Sequence, residues 1–462
     1  MAAKIGSQER QPSAKDAMRY LATLTLLILL AACGGGGGGS STPSIQTPPV
    51  GQPPAGGGGN DAGDGGSSAP FLLDSVTRGL AAPAVASPTG EAAMRCAVML
   101  REDEFCTLND LSLLGMETTD PTIDDIMRRV VVTHDWMAVR FRELLELMPP
   151  EVLLMMRGLT AVVISSDVRP SFYTARTGAI YLDPAGMWLT EAERAVISTA
   201  DDPRTEDIQA FQFLILWRYV LDGTDIRNLD RSLESLSYRA AALLFHELAH
   251  ANDYFPPGRL GQLDPTIPIY NNISTAALPS TQLANSLPLQ SGFMRGLAAA
   301  AFRGVTPSAA QLATTADEVA AEFPLDIAND YYNYSTSRED LAMAFEEAMM
   351  LLSYGIDRDV GIVAYPGEIE GCNDLLVAWG QRNRIAESSI GPRSQLAVDR
   401  ILPEASAAVE DLLASLDLPL MMQPDVGWCA NIDFGDSTSG ARALTLPDNP
   451  PIGDNVHFLP HH

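Results

Sequence analysis

Two histidines stand four residues apart in the stretch "LLFHELAHANDYFPP" (243–257), and a glutamate directly follows the first. The chain holds only six histidines in 462 residues, so this pairing carries information. A helix turns about every 3.6 residues, so His246 and His250 project from one face, where both imidazoles can reach one ion. Glu247 points aside from that line, near the ion without ligating it. Zinc with an open position brings the pKa of water towards neutrality, and a neighbouring glutamate can take the proton. Each fixed residue of H-E-x-x-H thus has a mechanical reason. The blander alternative is two core histidines beside a chance glutamate.

Periodicity indicates the elements that must position these residues. Residues 233–255 read as one long helix, stopped by Pro256 and Pro257. "SREDLAMAFEEAMMLLSYG" (337–355) is a second helix, with Ser337 as N-cap, Glu339 and Asp340 at the positive end of the dipole, and Gly355 closing it. "TIDDIMRRVVVTHDWMAVRFRELLELM" (122–148) has a helical period and stops at Pro149 and Pro150. "LTAVVISS" (159–166) and "GAIYLDP" (178–184) read as strands. Residues 256–330 read as loops with one or two helices, a further helix runs from Ser394 to about Leu416, and the last thirty residues look irregular. The expected class is α+β, dominated by helix.

Zinc needs a third protein ligand, and here the sequence resembles the zincin metallopeptidases. The metzincin extension fails, because Asp253 stands where its glycine belongs and Pro256 where its third ligand belongs. The gluzincin plan takes a glutamate from a downstream helix instead. The "ED-L-A-x-x-F" pattern within "YYNYSTSREDLAMAFEEAMM" (331–350) is similar to the glutamate helix of lethal-factor-like peptidases, which puts Glu339 at the ligand position; "HANDYF" is similar as well. The resemblance implies a zincin-like fold, with a small sheet above the H-E-x-x-H helix and a glutamate helix downstream. It also implies one zinc per chain and a peptide or protein substrate. A tyrosine that steadies the oxyanion is implied too, drawn from Tyr331, Tyr332 or Tyr334. "TGAIYLDP" (177–184) is the candidate strand for holding a peptide, or else a plain structural strand.

One departure stands out. Such families commonly carry an acidic residue four places after the ligand glutamate, supporting a histidine, and here that place is Met343. Either Asp253, one turn past His250, orients that histidine, or the ligand is Glu346 or Glu347. Any of these acids could also sit on an ordinary solvated helix face. His134 reads as structural, and His457, His461 and His462 as poor ligands in a terminal tail. The resemblance covers the two motif helices firmly and residues 122–355 in layout; residues 71–121 and 356–462 resemble no family.

Before this region the sequence reads as targeting. Lys4, Arg10, Lys15 and Arg19 precede the apolar run "LATLTLLILLAA" (21–32), too short to span a bilayer comfortably, and Cys33 follows. "LLAAC" resembles the lipobox of bacterial lipoproteins, which implies cleavage after residue 32 and lipidation of Cys33. Gly34 in place of aspartate leans towards the outer membrane. Residues 34–70, rich in Gly, Pro and Ser, read as a tether, and 71–462 as the catalytic domain. The remaining cysteines, Cys96, Cys106, Cys372 and Cys429, are even in number, which suggests two disulfides; proximity favours Cys96–Cys106 and Cys372–Cys429 among three possible pairings. The net charge of −28, without basic tracts, argues against nucleic acid or anionic lipid as partners, leaving the N-terminal lipid as the membrane contact. The expected function is a lipid-anchored zinc metallopeptidase of the bacterial envelope, periplasmic or surface-exposed. The rival is a zincin-like envelope lipoprotein that keeps metal without catalysis.

Overall fold

The computed structural model describes residues 77, 79–98, 105–199 and 210–432; Cys33, the stretch 34–70 and His457, His461 and His462 lie outside them. Short β-branched runs build a first sheet from β1 (Ala82–Pro83), β2 (Val130–Val132), β3 (Ala161–Ile164), β4 (Phe172–Thr174) and β5 (Ala179–Leu182), in the order β1-β2-β3-β5-β4. The pairs β2–β3 and β3–β5 are parallel, while β1 and β4 run antiparallel at the two edges. Parallel strands are covered on both faces, and alternate residues divide accordingly. Val131, Ala161, Val163 and Tyr181 face Ala93 and Cys96 of α1 (Pro88–Cys96). Val130, Val162, Ile164 and Ile180 face the main core with α2 (Asp135–Leu147) and α3 (Leu233–Tyr254).

The expected helix over 122–148 is in fact three elements: a capped turn at Ile123–Met127, then β2, then α2. Three consecutive valines suit a pleated, buried surface better than a helix. His134 precedes α2 and shares hydrogen bonds with Thr133 and Ser166, as its structural reading required. The strands at 159–166 and 178–184 are present as β3 and β5. However, β5 lies inside the sheet with both edges paired, so it cannot take up a peptide; the edge strand beside it is β4.

The 256–330 region contributes α4 (Pro279–Ser286) and α5 (Gly292–Phe302) besides shorter turns. The glutamate helix α6 spans Ser337–Tyr354. Its N-cap is Thr336 and not Ser337: the Thr336 hydroxyl accepts the Glu339 N–H at 3.2 Å. Gly355 ends it at φ 63°, a left-handed conformation that glycine adopts without strain. The helix expected from Ser394 is two, α7 (Gly391–Ile401) and α8 (Ser406–Ser415), because Pro403 cannot continue a helical ladder. No helix among the described residues is long and apolar enough to cross a membrane.

A second, wholly antiparallel sheet was not apparent in the sequence. It comprises β6 (Phe213–Leu221), β7 (Thr224–Asp225), β8 (Asp357–Ala364), β9 (Val377–Arg382) and β10 (Leu420–Met421), ordered β10-β9-β8-β6-β7. Gly361 and Gly380 are cross-strand partners, and a Cβ on Gly361 would lie 2.6 Å from the Trp428 ring. Trp428 therefore packs over Gly361, and Met422 over Gly380, where side chains are missing. Both favoured disulfides are present, Cys96–Cys106 and Cys372–Cys429. The class is α+β and rich in helix, with two five-stranded sheets.

Candidate metal centre

Helix α3 is buried along most of its length, and alanines at 240–242, 249 and 251 let neighbouring elements approach it. α6 packs across it, with Phe245 and Phe345 meeting edge to face at 6.2 Å. This crossing brings Glu339, in the first turn of α6, onto His246 and His250. His246 Nε2 lies 3.0 Å from Glu339 Oε2, His250 Nε2 lies 3.2 Å from the same oxygen, and the two Nε2 atoms are 3.1 Å apart. These three residues can hold a metal ion. A tetrahedral ion about 2.0–2.1 Å from its ligands spaces them about 3.3 Å apart, so the triangle is close to one face of such a shell. Two nitrogens and one oxygen also form the donor set of an open site.

Every carboxylate expected on a possible solvated face of α6 is buried: Glu339, Asp340, Glu346 and Glu347 are each at most 4% exposed. Each has a partner. Asp340 takes Arg393 and, at 2.8 Å, Asn333. Glu347 accepts the Asn329 amide at 2.7 Å, yet burial outweighs Arg358 and Asn329 and pushes its carboxyl up to about 7. Glu346 is not on the ligand triangle. Its Oε2 lies 3.0 Å from His246 Nδ1, the rear nitrogen, while Oε1 accepts the Tyr219 hydroxyl at 2.8 Å. Burial lowers the His246 imidazole, but Glu339 and Glu346 raise it more, to about 9.

Glu346 therefore stands where the sequence left two alternatives. It lies seven residues after Glu339, two turns along the same face, so the work missing at Met343 is done one turn further on. Asp253 does not orient His250. Its oxygens accept the Ser280 N–H and hydroxyl, both at 2.7 Å, fixing the start of α4.

Glu247 is buried beside the ligands and accepts the backbone N–H of Tyr173 in β4. Burial pushes its carboxyl up, and the charges of His250 and His246 hold it back. Of the three tyrosines, the half-buried Tyr332 is brought to the histidines, its ring centroid 6.4 Å from that of His246. Tyr334 is turned to Asp326, donating to it at 3.0 Å, and packs on Phe323. Tyr331 is buried against Phe302. Tyr173, Tyr219 and Arg358 were not singled out from the sequence, because each lies outside both motifs. Comparison with family models, curated proteins and solved structures finds no match.

Proposed function

We propose that this chain is a zinc-dependent peptidase of the zincin type, with His246, His250 and Glu339 holding the ion and Glu247 as its general base. The observation that carries the reading is the placement of Glu247, a buried carboxylate adjoining the three ligands that does not ligate. A purely structural metal site has no need of a proton acceptor there. When bound, the ion supplies Lewis-acid chemistry, acidifying water and polarising a carbonyl. Glu247 takes the proton from the attacking water on its carboxylate and hands it to the leaving amine. Its raised pKa suits both halves of that exchange. The Tyr173 N–H holds the Glu247 carboxylate in place.

β4, an edge strand of the first sheet, is the strand against which an extended substrate would align, since Tyr173 joins that edge to Glu247. Tyr332 is the nearest of the three tyrosines to steady the developing oxyanion. Two disulfides favour an oxidising compartment. With Cys33 lipidated, the domain would work from the surface of an envelope membrane.

Glu247→Gln tests the assignment, because it keeps shape and metal while removing the proton acceptor. Turnover of a cleaved peptide should fall at least about a hundredfold with zinc content unchanged. Wild type cleaving nothing in a diverse peptide library, together with a Glu247→Gln variant that fully complements a deletion, would make the protein a metal-bearing scaffold.

A further inference from the structure

His246 is a corner of the metal triangle and Tyr332 lies beside it on a different element, and one guanidinium reaches the support of each. Arg358 is the second residue of β8, is 2% exposed, and is the cross-strand partner of Tyr219 in β6. Its Nη1 donates to the Tyr219 hydroxyl at 3.0 Å and lies 3.4 Å from Glu346 Oε1. Its Nη2 donates to Asp330 Oδ2 at 2.7 Å. Each of these contacts leads back to the site. Tyr219 donates to Glu346, whose other oxygen meets His246 Nδ1. Asp330 Oδ1 accepts the Tyr332 N–H at 2.8 Å.

We propose that Arg358 is a positioning residue that locks His246 and Tyr332 into one unit, so that the second sheet is part of the metal centre. The inference rests on the metal-holding reading above and extends it to residues outside both motifs. A planar, always charged fork serves two acceptors in separate directions while packed against rings; the Trp217 and Tyr219 centroids each lie 5.0 Å from the Arg358 Cζ. A carboxylate against Nδ1 orients the ring and leaves Nε2 for the ion. The consequence is specific: damage at Asp330, which touches no metal ligand, is felt by the metal.

Arg218 provides the control. It is equally buried, in the same sheet, and paired with Asp359 at 2.7 Å, but its contacts lead to Trp428 and not to the site. The experiment measures zinc affinity of the full chain by chelator competition, with the visible spectrum of the cobalt-substituted protein as a second readout. Tyr219→Phe keeps the ring and removes the hydroxyl; it and Arg358→Lys should weaken zinc binding about tenfold or more and shift the cobalt bands. Asp330→Asn should weaken zinc in the wild-type background and add little to Arg358→Lys, as linked residues do. Arg218→Lys should leave zinc affinity within about twofold, because no contact carries its loss to the site.

Tyr219→Phe binding zinc as tightly as wild type overturns the proposal, even if Arg358→Lys fails to fold. So does Arg218→Lys weakening zinc as much as Arg358→Lys. Wild type that binds no zinc overturns the metal reading along with it, whereas wild type that binds zinc beside unaffected variants overturns this inference alone.

Discussion

Strand β4 of the first sheet meets the metal centre through a peptide N–H, given by Tyr173 to Glu247, whereas β6 and β8 of the second meet it through the phenol of Tyr219 and the guanidinium of Arg358. The first sheet is otherwise apolar: β2, β3 and β5 bury Val, Ile, Ala, Leu and one tyrosine. The second buries Arg218, Arg358, Asp359 and Arg382 among its strands. A backbone donor survives almost any side-chain change, while a charged network fails when one member is lost. The two sheets should therefore differ in how they break.

The largest effect is expected from an unpaired charge in the second sheet. Asp359 is fully buried, with Arg218 Nε on one oxygen and Arg382 Nε on the other, each at 2.7 Å. Arg218→Met should destabilise the protein by about 3–5 kcal/mol in denaturant unfolding, since it strands part of that charge. Replacing Arg218, Asp359 and Arg382 together by apolar residues of similar volume should restore at least half of the loss. If the triple variant is no better than the single, the network contributes packing and not charge balance.

Next in size is a pH effect in the layer between α6 and the second sheet. The folded-state pKa of Glu347 is raised from 4.5 to about 7. Its contribution therefore favours the fold fully below about pH 4.5 and is lost as pH rises through about 7. Glu347→Gln should remove a change on the order of 3 kcal/mol between pH 4 and 8, measured by denaturation in chelator so that metal binding does not intrude. An unchanged slope across that range would mean another group titrates there. The smallest effect belongs to the first sheet: Ile180→Val, at a fully buried position, should cost about 1 kcal/mol and leave zinc affinity alone.

The contrast also explains what could be read in advance. The H-E-x-x-H helix, its stop at Pro256, the glutamate helix with Gly355 and both disulfides follow from local pattern, because spacing, breakers and proximity are properties of short stretches. Glu346 was within reach by the same logic, since two turns separate it from Glu339. The run 122–148 misled because apolar residues around three valines keep a helical period that β-branching overrides. Arg358 and Asp359 sit in a strand where charge normally argues for exposure. Their partners at 330, 346, 218 and 382 belong to other elements, 12 to 141 residues away along the chain, which only the fold assembles.

That dispersal bears on how the chain is made. Arg218 is synthesised 141 residues before Asp359 and 210 before the Trp428 carbonyl it also needs. At roughly 5–20 residues per second, β6 waits on the order of ten seconds or more before Asp359 can bond its buried cation. Over that interval the β6 segment has Asp225 near that charge but neither Asp359 nor β8 to pair with. Both histidines and Glu339 have already been synthesised by the time Arg358 and Asp359 appear, so the ligand triangle is complete in sequence before its rear support exists. The centre should mature from the back forwards, with ion capture following closure of the second sheet.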